Sequence, residues 1–222
     1  MLKHNPDAYQ QTRREELGNV LTHAPMAILI LILLPFAVLY AYRQTSGPPV
    51  VAATGVAIFC LCLTLMFGIS ALYHGLPQTS RLKRIFNRMD HMAIYFAIAG
   101  SYTPLALIVI GGKTGWAILI LEWSLVLAGI VYKSVAFKKS RTLEIISTIL
   151  YLLMGWAILP CLPTFIRQAQ IGCIILVFAG GLFYSGGVAF FAMQKRHAHV
   201  IWHFFVNAGA LCHFLAIVFF LG

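Results

Sequence analysis

The stretch that decides the fold lies near the end of the chain and reads Arg196-His197-Ala198-His199-Val200-Ile201-Trp202-His203. An apolar run of helix length follows it. His199 and His203 are four residues apart, so on a helix their imidazoles lie on one face, one turn apart. Two imidazoles at this spacing can reach one metal ion. The stretch therefore predicts a helix in apolar surroundings that carries part of a metal site.

The composition indicates what surrounds that helix. The 222 residues are 60% hydrophobic and only 10% charged, whereas a soluble domain carries about 25% charged residues. So few charges leave too little polar surface to face water, which argues against a soluble all-helical protein. We therefore expect an all-α integral membrane protein.

Apolar segments separated by breakers and basic loops predict a seven-transmembrane helix bundle. The expected spans cover residues 17–42, 50–73, 89–110, 116–133, 143–162, 171–193 and 199–221. Residues 1–16 are expected to form a polar cytoplasmic tail, and residues 17–222 a single transmembrane domain. The first twenty residues lack the apolar core of a cleavable signal peptide. All five cysteines fall in apolar segments, so we expect small buried side chains rather than disulfides or thiolate ligands.

The distribution of positive charge predicts the orientation. The net charge is +10, but the basic residues form short runs between apolar segments, so we expect no nucleic-acid partner. With seven alternating spans, 16 Lys and Arg residues divide unequally: all except Arg43, Lys113 and Arg167 fall on the side of the N-terminus. The positive-inside rule then places the N-terminus in the cytoplasm and the C-terminus outside.

This orientation brings separated polar residues to one depth. His74 ends the second span, Asp90 begins the third, and the histidine pair occupies the first turns of the seventh, all in the cytoplasmic layer. Three imidazoles with an open fourth position are typical of catalytic zinc, which lowers the pKa of a bound water. We expect His74, His199 and His203 as ligands, and Asp90 as the group that orients the water or acts as general base. Ser70, one turn from His74, is a candidate contact for a substrate carbonyl or that water.

The remaining polar residues of the spans are weaker candidates for this site. His23 and the Glu15-Glu16 pair belong to the same layer on the first span. His197 lies about 200° around the helix from the first histidine of the pair and is expected in solvent. His213 lies about 15 Å deeper than the pair and is expected to be packed or hydrogen-bonded. For Glu122 we expect a polar contact between helices.

These residues fall into motifs that resemble the hemolysin III family, the bacterial branch of the progestin and adipoQ receptor superfamily. The resemblance runs through essentially the whole chain and rests on several separated motifs. They are Glu15-Glu16-x-x-Asn19-x-x-Thr22-His23, Ser70-x-x-Tyr73-His74, Asp90-His91-x-x-Ile94, Gly100-Ser101-Tyr102-Thr103-Pro104, and His199-x-x-x-His203 with His213.

The resemblance implies a fold like the seven-helix bundle of the adiponectin receptors, with the N-terminus inside. Zinc in those receptors is held by three histidines that match His74, His199 and His203. An Asp that matches Asp90 contacts the water on the zinc, and a Ser matches Ser70. The receptors and the related alkaline ceramidases are linked to hydrolysis of lipid amides. The bacterial branch is named for a reported haemolytic, pore-forming activity, and it implies a multi-pass protein of the bacterial inner membrane.

Three functions stay open at this point. The first is a zinc-dependent intramembrane hydrolase of lipid amides or esters, with membrane lipid as its partner and substrate. The second is a pore-forming cytolysin, and the third is a non-enzymatic sensor or regulator stabilised by metal. The short outer loops and tail offer nothing obvious to bind a protein hormone, so we expect no hormone partner.

Overall fold

The computed structural model describes residues 11–135, 141–193 and 195–221, and every regular element in these ranges is helical. The α-helices are α1 (Arg13–Gln44), α2 (Pro49–Gly75), α3 (Arg81–Pro104), α4 (Gly112–Val135), α5 (Arg141–Gly155), α6 (Leu162–Gln168), α7 (Ile171–Ala192) and α8 (Ala198–Phe219). Seven stretches of the described chain are long and apolar enough to cross a membrane, with α5 and α6 forming one of them together. The predicted all-α architecture with seven spans is therefore confirmed.

Two helices begin earlier than the sequence predicted. α1 starts at Arg13, where Thr12 and Glu15 form a reciprocal capping box, so part of the expected tail is helical. Residues 1–10 of that tail lie outside the described residues. α3 starts at Arg81, with the Ser80 side chain accepting from the Leu82 amide at 3.1 Å. The loop expected over residues 75–88 is thus wrong for most of its length, because its basic residues belong to the polar start of an amphipathic helix.

The fifth span is broken, and its exit differs from the prediction. α5 stops at Gly155, a 3₁₀ turn follows, and α6 carries the chain on to Gln168 rather than leaving the membrane near residue 162. Pro163, one residue beyond the end expected for this span, lies at the start of α6, where a missing N–H is tolerated. Within the break, the Tyr102 hydroxyl accepts from the Ile158 amide and donates to the Gly155 carbonyl, both at 2.9 Å. A side chain of α3 thus satisfies backbone groups that the break frees in an apolar environment.

The bundle is arranged around α3. The span that begins with α3 continues to Ile110, and 72% of the residues in its most apolar stretch are buried, against 17% for the span of α1. α1 packs on α2 and α8, α2 packs on α3, α3 packs on α4, and α7 packs on α8. Many leucines, isoleucines and phenylalanines of the outer helices are exposed, as expected where lipid replaces water.

Small residues bring α7 and α8 into close contact. A Cβ added at Gly187 would lie 2.7 Å from Trp202 Cε3 and 2.8 Å from Phe205 Cβ. Such a position requires the absence of a side chain, so the backbones approach closely. This contact supports the part of α8 that carries the histidine pair.

Candidate metal centre

The three predicted metal ligands lie together. His74 ends α2, and His199 and His203 occupy the first turns of α8. Each offers one nitrogen such that the three nitrogens lie within 4.8 Å of one another. The ring centroids are 5.1 Å apart for His74 with either partner and 4.8 Å apart for the pair on α8. The i, i+4 spacing thus places two imidazoles of α8 side by side, and α2 supplies the third.

The ring of His74 is held by a carboxylate from α1. Its Nδ1 lies 2.6 Å from Glu16 Oε2, and an ionised carboxylate only accepts, so Nδ1 carries the proton. In a neutral ring the other nitrogen, Nε2, is then a bare acceptor, and it is buried with no hydrogen-bond partner among the described residues. A buried nitrogen lone pair without a donor fits a metal ligand, and the carboxylate behind it is the usual outer partner of such a histidine.

The ring of His203 is held in the same way by a hydroxyl. Thr22 Oγ1 donates to the Asn19 carbonyl at 2.8 Å and lies 3.0 Å from His203 Nδ1. Because the hydroxyl proton is already used, the oxygen accepts from Nδ1–H, which leaves Nε2 of His203 with its lone pair. α1 thus fixes the tautomer of one histidine on α2 and of another on α8.

Beside the three imidazoles lies a second polar chain built on His23, Ser70 and Asp90. His23 is buried, stacks on His203 with ring centroids 3.6 Å apart, and lies with Nδ1 2.9 Å from Ser70 Oγ. Asp90 of α3 is half-buried and lies close enough to Ser70 and His74 to interact with both. The structure therefore brings both predicted catalytic side chains to the histidine cluster, with His23 added to them.

Comparison with known proteins shows the family of the chain. A family model described as "Haemolysin-III related" matches residues 11–214. The chain belongs to the haemolysin III family. It is 35% identical over 210 residues to "Hemolysin-3" of Bacillus cereus, covering 93% of this chain and 92% of that protein. It is 33% identical to the "Hemolysin-3 homolog" of Bacillus subtilis, covering 94% and 95%.

A human relative shows how far the similarity extends. "Monocyte to macrophage differentiation factor" of Homo sapiens is 30% identical over 219 residues, which is 94% of this chain and 85% of that protein. Together with the seven spans, the bacterial relatives make this haemolysin III family member a multi-pass protein of the bacterial cell membrane.

Two further histidines of this haemolysin III family member, His197 and His213, lie where the sequence analysis expects them. His197 is exposed and caps α8, with its backbone N–H donating to Glu15 Oε1 at 2.6 Å. His213 is hydrogen-bonded, with Nε2 3.2 Å from the Val177 carbonyl oxygen. Neither joins the cluster.

The contact expected for Glu122 is wrong. Its side chain is fully buried in α4, and neither carboxyl oxygen has a hydrogen-bond partner in the described part of the chain. The sequence shows that Glu122 lies within a span. It does not show whether the helix face that carries Glu122 has a polar neighbour.

The sequence missed the roles of Glu16, Thr22 and Lys83. The first two belong to the quoted motif, and the spacing 16, 19 and 23 indicates one helix face. That face is buried in α1, and Ile30, Ala37 and Ala41 are buried further along the same helix. Lys83 gave no such signal, because in the expected loop it counted only as one of several positive charges.

An apolar groove runs along the α1–α8 contact from one turn beyond His23 toward the opposite end of the bundle. Its inner end lies at Met26, and the rings of Tyr40 and Phe219 meet at its outer end with centroids 5.4 Å apart. The volume accessible within it is about 330 Å³, and its floor includes the small side chains of Ala37 and Ala210. The groove offers hydrocarbon surface directly beside the polar cluster.

Proposed function

We propose that this chain is a zinc-dependent hydrolase of membrane lipid amides or esters, with the N-terminus in the cytoplasm. One observation carries the proposal: three imidazole nitrogens from two helices lie within 4.8 Å of one another. The buried Nε2 of His74 supports it, since this polar atom has no hydrogen-bond partner in the part of the chain that the structure describes. Three neutral imidazoles are a donor set that suits zinc and leaves one position for a substrate or water.

Bound zinc would supply a Lewis acid that polarises a substrate carbonyl and favours ionisation of water. The chain supplies the groups around it. Asp90 is the group that accepts a proton from the attacking water, as a general base. Ser70 interacts with this carboxylate, and its Oγ lies 2.9 Å from His23 Nδ1. In this role Ser70 and His23 hold the Asp90 carboxylate beside the histidines.

A lipid substrate suits the surroundings of the cluster. The polar groups lie at one end of the bundle, where a headgroup linkage meets the hydrocarbon of the bilayer. The apolar groove between α1 and α8 begins one turn from His23, and Met26 and Ala210 lie at that end of it. An acyl chain in this groove would place its carbonyl end toward the cluster, and it could enter sideways from the membrane.

The test is metal analysis and fatty-acid release with the purified protein, over a panel of ceramide-type amides and phospholipid esters. Wild type should hold about one zinc per chain and release fatty acid, and His203→Ala should lose both. His197→Ala, an exposed histidine outside the cluster, is the matched control and should keep both. Stoichiometric zinc with no release from any lipid would overturn the hydrolase and leave a structural or sensory metal.

The haemolysin name of the bacterial relatives favours a second candidate, a pore-forming cytolysin. Dye release from liposomes distinguishes it from the hydrolase. Leakage that His203→Ala leaves unchanged would support a pore that does not depend on the metal centre.

A further inference from the structure

Lys83 is a buried lysine whose ammonium makes three polar contacts. It lies in the first turn of α3, and the residue is only 4% exposed. Its Nζ lies 2.8 Å from Glu16 Oε1, 3.1 Å from the Tyr73 carbonyl oxygen and 3.0 Å from the Leu76 carbonyl oxygen. These contacts use all three N–H donors of an ammonium. Lysine is rarely buried without a paired charge, so its position needs an explanation.

The carboxylate of Glu16 divides its two oxygens between different tasks. Oε1 accepts from Lys83 and from Gln78 Nε2, the latter at 2.5 Å, while Oε2 faces Nδ1 of His74 at 2.6 Å. Lys83 and Gln78 therefore hold Oε1 in place, while Oε2 stays in contact with the ring of His74. Since the residue is buried, its charge also needs the opposite charge of an ammonium.

We infer that Lys83 is a positioning residue for the metal centre, acting through Glu16 on His74. A carboxylate behind a metal-bound histidine fixes the ring orientation and strengthens the ligand. Here α1 supplies that carboxylate, and α3 supplies the cation that holds it against α2. The inference rests on the proposed metal site but not on hydrolysis, because it concerns how firmly the metal is held.

A purely structural role for Lys83 is the competing explanation. Its two bonds to carbonyls at the C-terminal end of α2 stabilise that end of the helix by themselves. Such a role predicts that losing Lys83 affects stability independently of Glu16. The positioning role instead predicts that the effect on metal affinity disappears once Glu16 has lost its charge.

A double-mutant cycle on zinc affinity separates the two explanations. The affinity is measured by competition with a chromophoric chelator for wild type, Lys83→Met, Glu16→Gln and the double variant. We expect Glu16→Gln to weaken binding about 10- to 100-fold and Lys83→Met about 10-fold. Adding Lys83→Met to Glu16→Gln should then change the affinity less than about twofold. Arg84→Met is the control, since it removes an exposed positive charge from the next residue and should leave affinity unchanged.

A second variant and a second readout guard against misfolding. Lys83→Gln keeps an amide donor for the carbonyls of α2 but removes the charge, and it should weaken zinc binding as Lys83→Met does. The visible absorption of bound Co²⁺ should shift in both Lys83 variants and not in Arg84→Met, because the geometry around His74 changes. Additive losses in the cycle, or unchanged affinity without Lys83, would overturn the inference while the metal site stands. A wild type that binds neither ion would overturn both.

Discussion

The rings of His74 and His203 are each oriented by a hydrogen bond to α1, with a different partner in each case. Each gives Nδ1–H to an oxygen of α1, Glu16 Oε2 for one and Thr22 Oγ1 for the other. Each therefore keeps Nε2 for the interior of the cluster. A neutral imidazole can expose either nitrogen, so these two contacts remove that freedom before any ion arrives.

Removing the hydroxyl behind His203 should weaken metal binding without removing a ligand. Thr22→Val keeps the side-chain shape but leaves Nδ1–H of His203 without an acceptor. We expect zinc affinity to fall about 10-fold, as is usual for loss of an outer hydrogen bond at a metal site. Thr22→Ser restores the hydroxyl and should restore affinity. Equal affinity in Thr22→Val and wild type would show that this bond does not orient the ligand.

Replacing Asp90 should separate metal binding from chemistry. Asp90→Asn keeps the size of the side chain but removes the proton acceptor, so zinc content should stay near that of wild type. Fatty-acid release should fall by about 10²- to 10⁴-fold, the usual contribution of a general base. Metal analysis and lipid turnover on the same preparation check both parts. Loss of zinc in Asp90→Asn would make Asp90 a ligand rather than a base.

The sequence predicts some residues of the candidate metal centre and misses others, according to the contacts that each residue makes. The ligands are recoverable because helix spacing fixes His199 against His203, and because counting positive charges brings His74 to the same depth. Lys83 is not recoverable in this way. Its role follows from three contacts with α1 and the end of α2, and none of them leaves a pattern in the sequence.

At the scale of helices, hydropathy predicts the spans well and their irregular ends poorly. The seven predicted spans are confirmed. They are predictable because a segment in lipid must be apolar and must form its backbone hydrogen bonds within its own helix. The break after Gly155 escaped prediction, since the group that compensates for it is the Tyr102 hydroxyl, far away in the chain. The sequence did not predict the early start of α3, because basic residues at a membrane surface are compatible with both a loop and a helix.

The close approach of α7 to α8 gives a prediction about glycine. Alanine normally favours a helix over glycine by about 1 kcal/mol. Gly187→Ala should nevertheless destabilise the protein by about 1–3 kcal/mol, because its Cβ would lie 2.7 Å from the Trp202 ring. Gly68→Ala in α2 is the matched control, since nothing lies within 4 Å of its added Cβ. Unfolding in mild detergent measures both, and equal stability would contradict the tight packing.

At the scale of the whole molecule, the orientation in the membrane is a prediction from charge alone. In a background without native cysteines, Ser46→Cys should react with an impermeant thiol reagent on intact cells. Thr79→Cys should react only after permeabilisation, because the chain between α2 and α3 lies on the basic side. Both residues are exposed, so accessibility in the folded protein is comparable. The reverse labelling pattern would place the histidine cluster at the outer face.

The contact between α1 and α8 joins the first and last helices of the described chain, and this has a consequence for biosynthesis. Ribosomes deliver α1 to the membrane first and α8 last, so Thr22 and His74 stay in the membrane without the contacts that His203 of α8 brings. Unpaired polar groups in a bilayer are costly. Completion of the last helix is therefore the event that makes the nascent bundle stable. A chain whose translation stops before residue 198 should be cleared by membrane proteases, whereas the finished chain escapes them.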